Sequence, residues 1–185
     1  KNARKRLAKA LYTVSKSRLD LLPMYSRFIA GTDRVLKDIA PVIVAELTRE
    51  FRYFARNNIS KAHLFPHRQM NVKFIAELVK FRVAPPIVAL NCFKVLVLDF
   101  TGQNIDILCM LMEGCGRFLF RMKHTSPRMI SILETVLRLK KAKNLDVRFN
   151  AMIDNALAYV NPPKRVAKQA KVLGDVERYI KHLLL

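Results

Sequence analysis

The chain has 185 residues, with 34 lysines and arginines against 14 aspartates and glutamates, so its formal net charge is +20. Hydrophobic residues make up 51% of the sequence, which excludes a disordered basic tail and is enough for a folded core. The 5 glycines and 8 prolines are few, and this scarcity favours helices over turn-rich sheets. We expect a single helical domain over residues 1–185, and since the chain begins with Lys1 we expect it to be part of a longer protein.

Five helices are predicted in the first part of the chain, because apolar residues recur there at spacings of three and four. Their predicted ranges are 4–14, 17–30, 32 or 41 to 56, 67–83 and 87–100. Ser17 is the predicted N-cap of the second helix, although Pro23 would suit a later start at Leu21 or Leu22. The predicted inner face of that helix consists of Leu19, Leu22, Tyr25 or Met24, and Phe28. The fifth helix is apolar on nearly every side, so we expect it to be covered on several faces.

Four further helices are predicted over residues 104–122, 126–143, 146–160 and 172–184. Ser126, followed by Pro127, and Asp146 are the predicted N-caps of the second and third of these helices. No segment alternates apolar and polar residues between hairpin turns, so a sheet is not expected. Antiparallel helix pairs of this length predict an all-α fold, an α-solenoid of about five helical hairpins of the HEAT-like type.

The helix predicted over residues 104–122 contains two glycines, Gly114 and Gly116. A glycine inside a helix costs about 1 kcal/mol relative to alanine, so we expect both to permit close packing of another helix. Asp106 and Glu113 fall on the polar side of the same helix, where we expect solvated carboxylates. Glu113 can also pair with Arg117 at i, i+4.

Cys92, Cys109 and Cys115 are odd in number, match no zinc-module spacing and lie in apolar runs. This pattern predicts reduced, buried thiols in an intracellular protein. A catalytic thiolate is not expected, because an apolar environment disfavours the charged form of the sulfur.

No metal, cofactor or catalytic site is predicted. His63 and His67 are four residues apart, but Pro66 between them is expected to break a helix, and no third ligand is near in the sequence. Glycine-rich phosphate loops are absent from the sequence. The longest apolar run, residues 84–98, is shorter than the roughly 20 residues that a membrane span requires. We therefore expect no enzyme activity and no transmembrane helix.

Basic residues are the main functional signal, because a folded domain with a charge of +20 is typical of proteins that meet a polyanion or an acidic partner. Each of these residues taken singly is equally consistent with a solvated helix face. A face that neutralises about six RNA phosphates should lose roughly a thousandfold in affinity between about 50 and 200 mM salt. The candidate contacts with RNA or another polyanion are Arg4, Lys5, Arg6, Lys9, Arg117, Arg121, Lys140, Lys141, Lys164 and Arg165.

Aromatic residues lie among some of these arginines. They are Phe51, Tyr53, Phe54, Phe118 and Phe120, interleaved with Arg52, Arg56, Arg117 and Arg121. The arrangement resembles a platform on which bases could stack, but helical spacing predicts that most of these rings belong to the core.

Several short strings carry a more specific resemblance. They are EGCGRFLFR at residues 113–121, DLLP at 20–23, FIAELVKF at 74–81, LDVR at 145–148 and NPP at 161–163. In this order they resemble the family of regulator of nonsense transcripts two, the up-frameshift scaffold of nonsense-mediated mRNA decay, over most of the chain. The resembling region is a domain similar to the middle domain of translation initiation factor four gamma, the second of three in that family.

The resemblance implies a helical-hairpin scaffold that works with the up-frameshift helicase, the up-frameshift three protein and the kinase of that helicase. The family binds the helicase and the up-frameshift three protein through regions C-terminal to this one, so no binding residue is carried over. A cytoplasmic, including perinuclear, spacer domain with RNA contact is implied. The alternative is a translation-initiation-type middle domain that binds an RNA helicase and RNA directly. A third hypothesis places the basic amphipathic helix over residues 4–14 on a membrane surface.

Overall fold

The structure is a computed structural model that describes residues 2–14, 18–56, 64–162, 180 and 182. These residues form helices and connecting turns and no strand, which confirms the all-α class for the described part. A 3₁₀ turn, Leu19–Leu21, precedes α2, and a π-helical turn, Met112–Gly116, joins α6 to α7. The helices are α1 (Asn2–Val14), α2 (Leu22–Thr32), α3 (Ile39–Arg56), α4 (Phe65–Lys80), α5 (Pro86–Leu98), α6 (Gly102–Leu111), α7 (Arg117–Arg121), α8 (Ser126–Ala142) and α9 (Val147–Val160).

The helices are arranged in two layers. One layer contains α1, α3, α5 and α8 in that order, and the other contains α2, α4, α6 and α9. Neighbours in sequence pack across the layers, as α3 does on α4 and α5 on α6. This is the stacking of helical hairpins predicted for a solenoid, and it is confirmed. The helix predicted over residues 172–184 falls largely outside the described residues.

Prolines set the starts of four helices. Pro23, Pro66, Pro86 and Pro127 each occupy the first or second position of a helix, where the missing N–H would have no partner within the helix. Pro23 therefore marks a start of α2 at Leu22, one of the two later starts considered. The predicted N-cap Ser17 lies outside the described residues. Pro66 lies in the first turn of α4, so His67 belongs to this helix, while His63 lies outside the described residues.

The buried face of α2 differs from the predicted one. Leu22, Ser26 and Ile29 are buried, and they follow the helical spacing i, i+4 and i+7 counted from the first residue of α2. The exposed members of the predicted face are Leu19, Met24 and Phe28. Leu22 is buried as predicted. The prediction was wrong for Leu19, which lies in the turn before α2, and for Met24 and Phe28, because a repeated spacing of three drifts off the buried face of a helix with 3.6 residues per turn.

Helix α5 is covered on fewer sides than its composition predicts. It packs against α3, α4, α6 and α8, and Ala89, Phe93 and Leu96 are buried in those contacts. Its outer side faces solvent, however, with Leu98 77% exposed and Ile87 44% exposed. None of the helices within the described ranges is long and apolar enough to cross a bilayer.

The two glycines of the π-helical turn allow close packing, as predicted. A Cβ atom on Gly114 would lie 2.7 Å from the Cβ of Ala76 on α4. On Gly116 it would lie 2.7 Å from a methyl group of Val160 on α9. Both distances are shorter than side chains tolerate, so α4 and α9 can approach this turn only because the two residues lack side chains.

The π-helical turn also changes the register of the helix surface. Because a π turn contains more residues than an α turn, the side chains after it are rotated relative to those before it. Glu113 is exposed and Arg117 is half-buried, and the ion pair predicted between them is not formed in the described part of the chain. That prediction assumed a regular α-helix and was wrong.

A buried polar cluster fixes the connection between α5 and α6. Arg68 of α4 donates a hydrogen bond to the side-chain oxygen of Asn104. The Nδ2 of Asn104 donates to the backbone oxygen of Asp99 at 2.9 Å and to its carboxylate at 2.7 Å. Burial lowers the pKa of Arg68, and the nearby charge of Asp99 opposes that shift. The start of α6 is thereby anchored to α4.

Candidate polyanion and peptide contact surfaces

The first predicted basic cluster lies on α1, at the edge of its layer. The α1 cluster consists of Arg4, Lys5, Arg6 and Lys9, which are all exposed. The opposite side of α1 buries Ala8 and Leu11 against the rest of the protein. The sequence of α1 includes no acidic residue, so this face is uniformly positive. All four side chains are therefore open to solvent, and their contact with a polyanion stays a prediction.

Polar contacts join α1 to α3 near both ends of α1. Arg4 donates to the carboxylate of Asp38 at 2.7 Å, and Tyr12 donates its hydroxyl hydrogen to Glu50 at 2.6 Å. Glu50 also accepts a hydrogen bond from Asn71 of α4 at 2.9 Å. Burial, together with the hydrogen bond to Glu50, raises the pKa of Tyr12 above its usual value. The phenol therefore stays a neutral donor, and both pairs indicate that α1 and α3 run parallel.

An apolar groove of about 840 Å³ opens between α1 and α3, and we name it the α1–α3 groove. Its floor contains Ala8, Ile39 and Ile43, which are all buried. Val42 on the α3 wall is 48% exposed. The charged residues that line the groove are Arg4, Lys5 and Lys9 on α1, and Asp38 and Glu46 on or next to α3.

The candidates near the other end of the stack are less available. Arg117 is half-buried, and its Nε atom is buried without a hydrogen-bond partner in the described part of the chain. Lys140 is bound by Asp154 of α9 in an ion pair. Arg121 and Lys141 are exposed. The remaining candidates, Lys164 and Arg165, lie outside the described residues.

The fold separates the candidate cations instead of gathering them. Helices α3 and α5 lie between α1 and α8 in their layer. Packed helices are about 8 to 10 Å apart, so three steps separate the α1 cluster from the α8 candidates by roughly 25 to 30 Å. The α1 cluster and the cations of α7 and α8 are therefore two surfaces.

The aromatic residues do not form a stacking platform. Phe51 and Phe54 are buried, and Phe118 and Phe120 are half-buried against the core. Tyr53 is exposed and meets the ring of Phe54 edge to face, with ring centroids 5.9 Å apart. The prediction that most of these rings belong to the core is confirmed.

The three cysteines are buried free thiols, as predicted. Burial raises the pKa of Cys92 to about 12 and that of Cys109 to about 12. Burial also raises the pKa of Cys115, whose thiol donates to the backbone oxygen of Leu111 at 3.5 Å. At neutral pH these sulfurs stay protonated, which is the form that does not attack electrophiles.

Asp106 is not the solvated carboxylate that was expected. Its side chain is only 14% exposed, and Arg148 of α9 lies 3.7 Å away. Burial raises the pKa of Asp106, and the charge of Arg148 opposes that shift. The packing of α9 on α6 covers this position, which the sequence pattern of one helix does not reveal.

The histidines are not assembled into a site among the described residues. His67 is exposed in the first turn of α4, His124 is exposed in the turn before α8, and His63 lies outside the described ranges. Those ranges also contain no group of three or more potential metal ligands.

Residues 1–163 match the sequence profile of the MIF4G domain. The chain belongs to the MIF4G domain family. The two-layer stack of helical hairpins is thus the architecture of this MIF4G domain, as the resemblance to the middle domain of initiation factor four gamma implied.

This MIF4G domain is similar to proteins named for nonsense-mediated decay. It is 38% identical over 184 residues to the regulator of nonsense transcripts UPF2 of Arabidopsis thaliana, a match that covers 100% of the chain and 15% of that protein. It is 36% identical over 185 residues to regulator of nonsense transcripts 2 of Homo sapiens, a match that covers 98% of the chain and 14% of that protein. It is 34% identical over 186 residues to nonsense-mediated mRNA decay protein 2 of Schizosaccharomyces pombe, a match that covers 100% of the chain and 17% of that protein. The chain spans less than a fifth of each relative.

Sequence reasoning missed the α1–α3 groove of this MIF4G domain. Its two walls are about thirty residues apart in the chain, and which helix packs beside α1 is decided by the tertiary fold. The hydrogen bonds among Tyr12, Glu50 and Asn71 were missed for the same reason. The sequence did contain one sign of the groove: Val42 is apolar but lies outside the buried face formed by Ile39, Ile43 and Leu47.

Proposed function

We propose that this MIF4G domain is a non-enzymatic scaffold domain of the nonsense-mediated mRNA decay machinery. The observation that carries the proposal is the similarity of the whole chain to three proteins named for that process, from a plant, an animal and a fungus. Its place as the second of three such domains, and its action in the cytoplasm including the perinuclear region, are parts of the proposal that rest on the resemblance.

The architecture supports a spacing role. Two buried polar clusters tie neighbouring helices together, one around Arg68 and Asn104 and one around Glu50 and Asn71. The first ties α4 to α6 within one layer, the second ties α3 to α4 across the layers, and both resist sliding of one helix past the next. The domain would support the modules that bind the up-frameshift helicase and the up-frameshift three protein, which the resemblance places C-terminal to it, and would hold them at a constant distance from the rest of the scaffold.

RNA contact through the α1 cluster is the second part of the proposal. Four exposed cations lie within two turns of one helix that has no acidic residue. Such a surface attracts a phosphate backbone without reading its sequence. Arg121 and Lys141 are the exposed candidates for this contact at the other end of the stack.

A domain exchange tests the decay role. The matching region of the Arabidopsis relative is replaced by this chain, and the half-life of a reporter mRNA with a premature stop codon is measured in cells that lack the endogenous protein. We expect the chimera to restore rapid decay. A well-expressed chimera that leaves the reporter stable would overturn the decay role. Stable binding of an initiation-type RNA helicase to the isolated chain would then favour the translation-initiation alternative.

A salt titration tests the RNA contact. Glutamine replaces the four residues of the α1 cluster in one variant, and a control variant carries four glutamines at exposed cations outside α1. The control positions are Lys94, Lys123, Arg128 and Arg138, which are exposed and are not candidate RNA contacts. If α1 holds single-stranded RNA, its variant should lose about 0.7 from the slope of log affinity against log salt for each lost phosphate contact. Equal losses in both variants would show an effect of net charge alone and remove α1 as an RNA site.

A further inference from the structure

We propose that the α1–α3 groove is a docking site for a short, acidic, amphipathic helix of a protein partner. The inference goes beyond the proposed function, because it assigns a site and a class of ligand and does not depend on the decay role. It rests on three features: the apolar floor of the groove, the length of the groove, and which charged residues along its rim already have partners.

The floor of the groove suits bulky apolar side chains. Ala8 is the small residue that α1 presents between Leu11 and the start of the helix, so the helix surface is recessed there. Ile39 and Ile43 of α3 form the base, and Val42 is left 48% exposed at the wall. A leucine or phenylalanine seated here would remove Val42 from water without displacing any described residue.

The length of the groove suits two such side chains. The bond between Arg4 and Asp38 lies at one end, and the bond between Tyr12 and Glu50 lies at the other. Eight residues of α1 separate these contacts, which corresponds to about 12 Å along the helix axis. Side chains at i and i+4 of a bound helix are about 6 Å apart, so both fit between the two closing contacts.

The charges on the rim favour a ligand with carboxylates. Both acidic residues of the rim are already occupied, Asp38 by Arg4 and Glu46 by Arg49. Lys5 and Lys9 are one helical turn apart on α1, and neither has an acidic partner among the described residues. Glutamates on one side of a docked helix would supply those partners, and the net charge of +20 would accelerate the encounter.

A nucleic acid fits this groove less well than a peptide does. The base of the groove is formed by the aliphatic side chains of Ala8, Ile39 and Ile43, on which a nucleobase has no aromatic ring to stack, and the phenol of Tyr12 lies at the end of the groove, hydrogen-bonded to Glu50. Further grooves open between α3 and α5 and between α5 and α8, with volumes of about 340 and 630 Å³. The α1–α3 groove is the largest of these, and polar contacts close both of its ends.

Fluorescence anisotropy with a synthetic peptide tests the proposal. The peptide is about 14 residues long, with leucine and phenylalanine at i and i+4 and glutamates along one flank. A scrambled peptide of the same composition keeps the charge and breaks the apolar spacing. We expect the designed peptide to bind at least about tenfold more tightly than the scrambled one at about 150 mM salt.

Two matched substitutions locate the site. Val42→Asp places a carboxylate on the groove wall and should weaken the designed peptide about tenfold or more, while the same change at the 82% exposed Val35 should have less than a twofold effect. Val42→Thr keeps the shape of the side chain and should give an intermediate loss of peptide affinity. It still tests the site if the Val42→Asp variant does not fold. Binding of an oligouridine RNA should be the same in all three variants.

Four results would overturn the proposal. Equal affinity of the designed and scrambled peptides would mean that charge alone attracts them. A Val42→Asp variant that binds the designed peptide like the wild type would place the site elsewhere. Loss of RNA binding together with peptide binding in that variant would assign the groove to nucleic acid. Concentration-dependent dimerisation that Val42→Asp abolishes would assign the groove to a second copy of the chain.

Discussion

Helix α4 lies at the centre of the stack of this MIF4G domain and helix α1 lies at its edge, and the two helices differ accordingly in how much of their surface is buried. Helix α4 packs against α2, α3, α5 and α6, and nearly every residue from Met70 to Val79 is buried. Helix α1 packs mainly against α3, buries Ala8 and Leu11 and leaves its cations in solvent. Both sequences are helical, but only the neighbours of α4 turn it into a core element. The comparison places the buried core at the centre of the stack and the proposed contact surfaces at its edge.

The polar residues of the two helices follow the same division. Asn71 of α4 is buried and donates to the backbone oxygen of Leu47 at 3.0 Å, and Glu77 accepts from Lys80 at 2.7 Å. Buried polar groups of this kind are costly to leave without partners, and here the Nδ2 of Asn71 and the carboxylate of Glu77 both have one. The cations of α1 are solvated and can be exchanged without disturbing the core. Four predictions, which use six substitutions in all, test this division.

The largest effect is expected from Phe93→Ala in α5, next to α4. Phe93 is fully buried, so its truncation should lower the free energy of unfolding by about 3 to 5 kcal/mol. Leu11→Ala in α1 should lower it by at most about 2 kcal/mol, because an edge helix can detach without global unfolding. Urea denaturation followed by far-ultraviolet circular dichroism measures both. A Leu11→Ala loss as large as that of Phe93→Ala would break the division between centre and edge.

A pair of glycine substitutions is expected to have effects of opposite sign. Gly114→Val should destabilise the protein by about 1 to 3 kcal/mol, because the Cβ of Ala76 is bonded to the α4 backbone and cannot move aside. Gly31→Ala in α2 meets nothing within 4 Å and should stabilise by about 0.5 to 1 kcal/mol through helix propensity. Thermal unfolding of both variants compares them. Destabilisation by Gly31→Ala would mean that α2 is not helical at this position.

Tyr12→Phe is expected to cost about 1 kcal/mol, since one hydrogen bond between α1 and Glu50 is lost. The effect depends on pH. The pKa of Tyr12 is raised in the folded protein, so above the ordinary tyrosine value of about 10 the unfolded state releases a proton that the folded state retains. The wild type should therefore lose stability relative to Tyr12→Phe as the pH rises past that value. A stability difference that stays constant with pH would contradict the raised pKa.

The smallest effect is expected from Asp106→Asn at the interface of α6 and α9. Burial raises the pKa of Asp106, so the folded state binds its proton more tightly than the unfolded state. The free energy of unfolding of the wild type should then fall as the pH rises above the ordinary aspartate pKa of about 3.9. That of the asparagine variant should not, because asparagine does not titrate. Unfolding experiments at about pH 3 and pH 7 compare the two proteins. If the wild type instead becomes more stable relative to Asp106→Asn as the pH rises, the charge of Arg148 has a larger effect on the pKa of Asp106 than burial has.

Much of the helical organisation could be predicted from the residues alone. Periodic apolar residues and helix-starting prolines located the helices up to Val160, and the apolar surroundings of Cys92, Cys109 and Cys115 indicated burial. The predictions failed where a helix changed register. The inner face of α2 and the pair between Glu113 and Arg117 both assumed an uninterrupted α-helix, and a later start or a π turn rotates every side chain that follows.

The candidate site divides in the same way. The local sequence of α1 was enough to predict four exposed cations, because an amphipathic helix must turn its charges to water. The groove beside them required the packing of α3 against α1, and the availability of Lys140 depended on Asp154 of α9.

The sequence by itself determined the all-α class, the approximate limits of the helices and the excess of positive charge, since these follow from composition and from contacts within a few residues. Only the tertiary structure decided which cations are paired, that the basic residues form two surfaces and that an apolar groove borders the first of them. Those properties depend on distances between helices, and such distances are set by side chains from many parts of the chain packing at once.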